Sequence, residues 1–197
     1  MLNGLDAIDW SALEDAYGNA RETPNRLRAL LSDDGEVREE ALNELFGSVW
    51  HQGTIYSVSA HVIPFLVELI EAPHVKEKES VVALLASIAG GCGYYEVHEP
   101  LSQKFMRFPF DLTTKRRAET RVVDAVRRTA SRHIPDLLPH LESSNESVRT
   151  AIAQALPFYP EHSALAKSAL ERALASETDP DVREMLDESL RALVIQN

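Results

Sequence analysis

Histidine and cysteine are the residues of this chain best suited to metal binding or nucleophilic chemistry, and their spacing favours neither. The seven histidines form no H-E-x-x-H pair and no Cys/His zinc spacing. His51, His98 and His162 lie in loops, and they could share a metal only if those loops closed a gap of about 10 Å between successive helical units. Cys92 is the single cysteine, so it can form no internal disulfide and would need a nearby histidine to become a nucleophile. We therefore expect no metal, no cofactor and no catalytic residue.

Aromatic side chains are concentrated in three loops of the chain. Of the 6 Phe, 5 Tyr and 2 Trp residues, nine fall within residues 47–56, 94–110 and 157–162. Aromatic loops on a rigid scaffold are a common form of binding surface, although they could instead form a small core that holds a long insertion in place. Gly53 would allow a tight turn next to Trp50. The predicted partner-binding residues are Trp50, His51, Gln52, Tyr56, Tyr94, Tyr95, His98, Phe158 and Tyr159.

Charge is distributed unevenly along the chain. The net charge of -11 opposes binding to nucleic acid and favours a basic protein partner. Residues 104–132 differ, because they contain nine basic and three acidic residues. Four arginines there have helical spacing and would share one side of a helix, either as an anion-binding strip or as a solvated face that neutralises acidic neighbours. They are Arg117, Arg121, Arg128 and Arg132.

The elements that must position these side chains are helices, and their pattern repeats. A Val-Arg pair follows a short polar turn at residues 37–38, 148–149 and 182–183. Apolar residues follow each valine at the fourth and eighth positions, which predicts a helix with one buried face. Another amphipathic helix precedes each pair, and the one before Val148 has an early proline, Pro135. A further helix with an early proline, Pro64, precedes a unit that lacks a literal Val-Arg pair and has Glu77-Lys78 in its place. The four units start at residues 37, 77, 148 and 182, so they are about 40, 71 and 34 residues apart, and one unit is missing or remodelled between the second and the third. Such a repeat of helix pairs predicts stacked helical hairpins.

This pattern resembles the HEAT-repeat family, including bacterial HEAT-like proteins, over roughly residues 25–194, and the resemblance is weakest across 90–132. It implies an all-α protein, a right-handed α-solenoid of about five stacked helical hairpins with an irregular insertion near residues 90–113. In such repeats the arginine often pairs with an aspartate of a neighbouring unit. The resemblance therefore implies that Arg38, Arg149 and Arg183 are structural ladder residues. The family contains scaffolds, lyases and DNA glycosylases, so it indicates a fold and not a function.

The repeat pattern predicts one domain over residues 1–197. We expect an N-terminal cap helix within residues 1–23, two repeats over 24–89, an insertion with a remodelled repeat over 90–132, and further repeats over 133–197. The longest apolar run, residues 62–70, is too short to span a bilayer, and the first residues lack the features of a signal peptide. We therefore expect a cytoplasmic monomer with no membrane partner.

Three functional hypotheses follow from these patterns. The first is a non-enzymatic protein-binding scaffold or adaptor that uses an acidic inner face and the aromatic loops, and in a sharper form an immunity or inhibitor protein for a basic toxin. The second is a HEAT-like nucleic-acid-binding protein that uses the basic 104–132 strip. The third is a small-ligand binder or lyase-like enzyme with a pocket between the aromatic loops.

Overall fold

The computed structural model describes residues 1–97 and 112–195, and these residues are mostly helical with a few two-residue strands. The all-α prediction is confirmed at this level. The main helices are α1 (Thr23–Ala29), α2 (Gly35–Ser48), α3 (Ser59–Glu71), α4 (Lys78–Gly90), α5 (Leu112–Ser131), α6 (Ile134–Leu137), α7 (Glu146–Ala155), α8 (Ser163–Ser176) and α9 (Pro180–Ile195).

Polar turns start the helices that carry the Val-Arg pairs, as the sequence predicts. The Asp34 carboxylate accepts the backbone N–H of Glu36 at 3.0 Å at the start of α2. The Asn145 side chain accepts the N–H of Ser147 at 3.0 Å at the start of α7. Side-chain caps of this kind satisfy backbone donors that have no partner inside the helix, so they fix where the helix begins.

The two helices with a predicted early proline, Pro64 or Pro135, differ in length and continuity from the prediction. The early proline Pro64 was expected near the start of its helix, but α3 begins five residues before it, at Ser59, so Pro64 lies inside the helix on its exposed side. The segment after α5 is not one helix, because α6 ends at Leu137 and a 3₁₀ helix continues over Leu138–Glu142. Pro139 lacks an N–H group and therefore cannot continue the α-helical hydrogen bonds.

Helix α4 is the centre of the core. It packs against α3 on one side and directly against α7 on the other, and α7 in turn packs against α9. Its apolar residues from Val81 to Ala89 are almost all buried, which explains why α4 is hydrophobic around its whole circumference. Helices α4 and α7 are therefore direct neighbours, and residues 98–111 of the predicted insertion lie outside the described residues.

Helix α5 lies against α3 and α4. Val126 and Ala130 are buried and Val122 is half-buried, as the helical spacing predicts, but Ala118 on the same side is exposed. Only the second half of α5 therefore joins the core formed by the described residues.

The N-terminal segment does not form the predicted cap helix. It consists of two 3₁₀ turns, Leu5–Ala7 and Trp10–Ala12, followed by a hairpin of strands β1 (Glu14–Asp15) and β2 (Gly18–Asn19). The Trp10 ring packs 6.1 Å from that of Phe65 in α3, and the Leu2 N–H donates to Glu68 at 2.6 Å. The segment thus packs on α3, and its Ala16 N–H donates to the Ser48 carbonyl at the end of α2 at 3.0 Å.

No helix among the described residues is long and apolar enough to cross a membrane.

Candidate functional site

A second β-hairpin positions Trp50 and His51 between α2 and α3. Strands β3 (Trp50–His51) and β4 (Thr54–Ile55) pair Trp50 with Ile55 and His51 with Thr54. Neighbouring residues of a strand point to opposite faces, and the two aromatic rings accordingly have different contacts. Trp50 lies edge-on to Phe46, with ring centres 6.3 Å apart, and His51 lies 6.0 Å from the Tyr17 ring.

The turn of this hairpin has the strained geometry that two-residue hairpin turns require. Gln52 has a φ of 49° and Gly53 a φ of 89°, so both central residues are in the left-handed region, as in a type I′ turn. The glycine meets the prediction of a tight turn at Gly53, whereas glutamine is an unusual residue at this position.

Backbone hydrogen bonds join the hairpin to the segment after α4. The Cys92 N–H donates to the Gly53 carbonyl at 2.8 Å, and the Ile55 N–H donates to the Cys92 carbonyl at 3.0 Å. Burial, followed by the nearby Glu96 charge, raises the pKa of the Cys92 thiol. A raised pKa disfavours the thiolate, so this environment works against a nucleophilic cysteine.

A groove of about 330 Å³ runs along α7 from the hairpin to the turn before α9. Trp50 and Ser87 lie at one end, and the carboxylates of Glu146, Asp179 and Asp181 lie at the other. None of the described residues that line it is basic. We call this feature the acidic groove.

The three carboxylates of the acidic groove differ in their hydrogen bonds. The Asp179 carboxylate caps α9 by accepting the N–H groups of Asp181 and Val182, each at 3.0 Å. Glu146 and Asp181 are exposed in the first turns of their helices, and their carboxylates make no hydrogen bond or ion pair to any other described residue. These two carboxylates are therefore available to a cation.

The three predicted ladder arginines bind the turns that precede their own helices. Arg38 donates to the Ser32 and Asp33 carbonyls at 2.9 Å and also binds Glu77 of the next turn at 3.0 Å. Its partner is thus a glutamate and not the aspartate that the resemblance implies.

Arg149 and Arg183 make related contacts. Arg149 donates to the Ser143 carbonyl at 2.8 Å and to both Glu177 carboxylate oxygens, at 2.6 and 3.1 Å. The Arg149 hydrogen bond lowers the pKa of the Glu177 carboxyl. Arg183, in the last pair, donates to the Leu174 and Glu177 carbonyls at 3.0 and 2.7 Å.

The predicted aromatic residues separate into several groups. Tyr94 is exposed and packs edge-on against Tyr95, with ring centres 5.6 Å apart. Burial raises the pKa of the Tyr56 phenol, and the neighbouring Tyr94 and Tyr17 phenols raise it further. Tyr17 is 76% exposed and was missed by the sequence analysis, although the following Gly18 signals a surface turn.

Phe158 and Tyr159 form a separate group with Arg127. The Arg127 guanidinium lies 4.2 Å from the centre of the Phe158 ring, and it donates to the Gly91 carbonyl at 2.8 Å and to the Ala89 carbonyl. Tyr159 is 1% exposed, its hydroxyl donates to the Ala89 carbonyl at 3.0 Å, and burial raises its pKa. Its buried position makes Tyr159 a packing residue, so it is not part of an exposed partner surface.

The four predicted arginines of the basic 104–132 strip lie on and just after α5, and residues 104–111 of the strip lie outside the described residues. All four arginines are exposed, and none of their side chains has a hydrogen bond or ion pair within residues 1–97 and 112–195. Asp124 is exposed on the same side of the helix, between Arg121 and Arg128.

The proposed histidine cluster is only partly covered by the structure. His98 lies outside the described residues. His51 packs against Tyr17, whereas the His162 ring is within 2.8 Å of the Ser131 carbonyl. No group of three or more His, Cys, Asp or Glu side chains in the described part of the chain could hold a metal ion.

Comparison of the chain with models of known protein families, with curated proteins and with solved structures finds no match in any of the three.

Proposed function

We propose that this chain is a non-enzymatic binding protein whose acidic groove receives a basic segment of another protein. The observation that carries the proposal is the composition of the groove, which combines Trp50 with three carboxylates and has no basic residue among its described lining. Complementary charge favours a Lys/Arg-rich partner and accelerates its association.

The dimensions of the groove suit an extended peptide. Helix α7 has 10 residues, so it is about 15 Å long at 1.5 Å per residue. An extended chain rises about 3.3 Å per residue, which corresponds to about five residues of the partner. A basic side chain at one end would meet Glu146 and Asp181, and an arginine at the other end would stack on the half-buried Trp50 ring.

We further propose that the helices form a HEAT-like α-solenoid. Support comes from the links between successive turns, each of which connects the start of one long helix to the turn that precedes or opens the next. These links are Arg38 to Glu77, Glu79 to Ser143, and Arg149 to Glu177. A stack of hairpins requires such nearest-neighbour contacts.

A sharper form of the proposal is an immunity or inhibitor protein for a basic toxin. Its support is the net charge of -11 on a chain of 197 residues, because small acidic proteins capture basic ones rapidly through electrostatic steering. The acidic groove would then contact the basic surface of the toxin.

A basic peptide provides a direct test of the groove. Binding of a fluorescein-labelled nine-residue Arg/Lys peptide is measured by anisotropy at 0.15 M salt. The double variant Glu146→Gln/Asp181→Asn should weaken binding at least tenfold, because it neutralises the two unengaged carboxylates. A matched variant, Glu184→Gln/Glu188→Gln, removes the same charge from exposed residues of α9 that do not line the groove, and we expect less than a threefold change.

Equal losses in the two double variants would contradict the proposal, because the peptide would then respond only to total charge. The natural partner can be sought by affinity capture from the native host, with the Glu146→Gln/Asp181→Asn variant as the reference bait. A basic protein retained by the wild type and lost from this variant is the expected result.

A further inference from the structure

A hollow of about 380 Å³ lies beside the C-terminal end of α5, and it shares no lining residue with the acidic groove. Its polar side is formed by Arg128 and Arg132, and its aromatic side by Phe158. We call it the arginine hollow. We infer that the arginine hollow binds a nucleoside phosphate, with the phosphate held by Arg128 and Arg132 and the base stacked on Phe158.

The two arginines form an anion-binding pair. They are four residues apart at the end of a helix, which separates their backbones by about 6 Å along the axis, so both guanidinium groups can reach one phosphate. Both are exposed and neither has a hydrogen bond or ion pair to another described residue. Binding therefore requires no ion pair among the described residues to be broken.

Two carboxylates lie near this pair. Asp124 is one helical turn before Arg128 and is exposed, so its charge reduces the positive potential at that end. Glu161 lines the hollow, and its carboxylate accepts a hydrogen bond from the Ser131 hydroxyl, which lowers its pKa. An ionised Glu161 disfavours a phosphate on its side of the hollow and can accept a hydrogen bond from an amino group of the base.

Phe158 provides the surface for the base. Its side chain is 41% exposed, whereas the adjacent Tyr159 is 1% exposed. The Arg127 guanidinium covers one face of the Phe158 ring at 4.2 Å. Exposed aromatic rings next to cationic groups bind bases by stacking and phosphates by charge.

The aromatic side of the hollow is held in place by contacts within the protein. Arg127 is anchored to the backbone carbonyls of Ala89 and Gly91. The His162 ring nitrogen bonds to the Ser131 carbonyl at 2.8 Å, which ties the Phe158 loop to the end of α5. Phe158 therefore loses little conformational freedom when a base stacks on it, so more of the stacking energy appears as affinity.

Calorimetric titration with AMP at 0.15 M salt tests the inference, with adenosine and inorganic phosphate as partial ligands. We expect AMP to bind at least ten times more tightly than either partial ligand. Arg128→Gln/Arg132→Gln should weaken AMP binding at least tenfold. Phe158→Leu should weaken it about fivefold and should remove most of the difference between AMP and phosphate. Circular dichroism spectra and thermal unfolding verify that each variant is folded.

The chain offers a matched control on the same helix. Arg117→Gln/Arg121→Gln removes two exposed positive charges that do not line the hollow, and AMP binding should change less than twofold. Absence of AMP binding at millimolar concentration would overturn the inference. Equal losses in the two arginine variants, or phosphate binding as tight as AMP binding, would do so as well.

Binding of a five-nucleotide single-stranded DNA distinguishes a free nucleotide from a nucleotide within a nucleic-acid strand as the ligand. Tighter binding than AMP, with a gain that depends on Arg117 and Arg121, supports a nucleotide within a strand that follows the exposed side of α5. No gain over AMP supports a free nucleotide.

Discussion

The turn at Gln52 and Gly53 places backbone strain at Gln52, because glycine adopts a positive φ without steric cost and glutamine does not. The φ of 49° at Gln52 costs a side chain with a Cβ roughly 1–2 kcal/mol, and asparagine tolerates this conformation better. We expect Gln52→Asn to stabilise the protein by about 0.5–1 kcal/mol in urea unfolding.

Gly53→Ala is the counterpart of this change. Its φ of 89° would force alanine into the same left-handed region, so we expect a loss of about 1 kcal/mol. If Gln52→Asn lowered the stability as well, Gln52 would have a role in the fold that backbone geometry does not explain.

The Arg149–Glu177 pair links stability to pH. Both side chains are largely buried and the carboxylate accepts two hydrogen bonds from the guanidinium. We expect Glu177→Gln to lower the free energy of unfolding by about 1–3 kcal/mol at pH 7. Glu171→Gln, in an exposed pair with Lys167, should cost less than about 0.5 kcal/mol.

The sign of the pH dependence follows from the lowered pKa of Glu177. Its contribution is complete above the ordinary glutamate pKa and is lost as the pH falls through the lower folded-state value. The difference between wild type and Glu177→Gln should therefore shrink in acid. A difference that stays constant from pH 7 to pH 3 would contradict an ionic role for the pair.

At the scale of the helices, the exposed fraction of the valine in each Val-Arg pair differs according to whether a preceding long helix packs against it. Val148 and Val182 are 0% and 2% exposed, whereas Val37 is 39% exposed. Helix α7 follows α4 and helix α9 follows α7, but α2 is the first long helix and the N-terminal segment packs on α3. Among the described residues, the side of α2 that carries Val37 is therefore left partly exposed.

Two alanine substitutions test this interpretation by chemical unfolding. Val148→Ala should cost about 2 kcal/mol, because it removes two buried carbon atoms and leaves a cavity. Val37→Ala should cost less than about 0.5 kcal/mol, because the side chain is already solvated. Equal costs at both positions would indicate that Val37 is covered in solution.

At the scale of the whole molecule, Arg127 joins three parts of the chain that are distant in sequence. It binds the end of α4 through Ala89 and Gly91, projects from α5, and covers the ring of Phe158. We expect Arg127→Met to lower the free energy of unfolding by about 2–4 kcal/mol, since charged hydrogen bonds to partly buried carbonyls are lost. Arg128→Met, at the exposed neighbouring position, should change stability by less than about 0.5 kcal/mol.

Thermal and urea unfolding of the two variants measure this difference. A loss at Arg127→Met no larger than that at Arg128→Met would show that the contacts around Ala89 do not hold the C-terminal helices to α4.

The sequence by itself determined where the Val-Arg helices α2, α7 and α9 begin, and the family resemblance implied which arginines lie at their turns. These features depend on residues close together in the chain, such as Asp34 capping Glu36 or Arg149 reaching Ser143, so a local pattern predicts them. The cap helix was predicted wrongly because Ser11 and Glu14 have the spacing of a capping box, yet the N-terminal residues fold as 3₁₀ turns and a hairpin against α3.

Only the tertiary structure decided how the distant parts meet. Packing between residues far apart in sequence brings α4 into direct contact with α7 and buries Tyr159 against the Ala89 carbonyl. It also gives the neighbouring rings of Trp50 and His51 different partners, Phe46 and Tyr17. The acidic groove and the arginine hollow arise from the same packing, because each combines side chains of several elements whose relative positions no local pattern specifies.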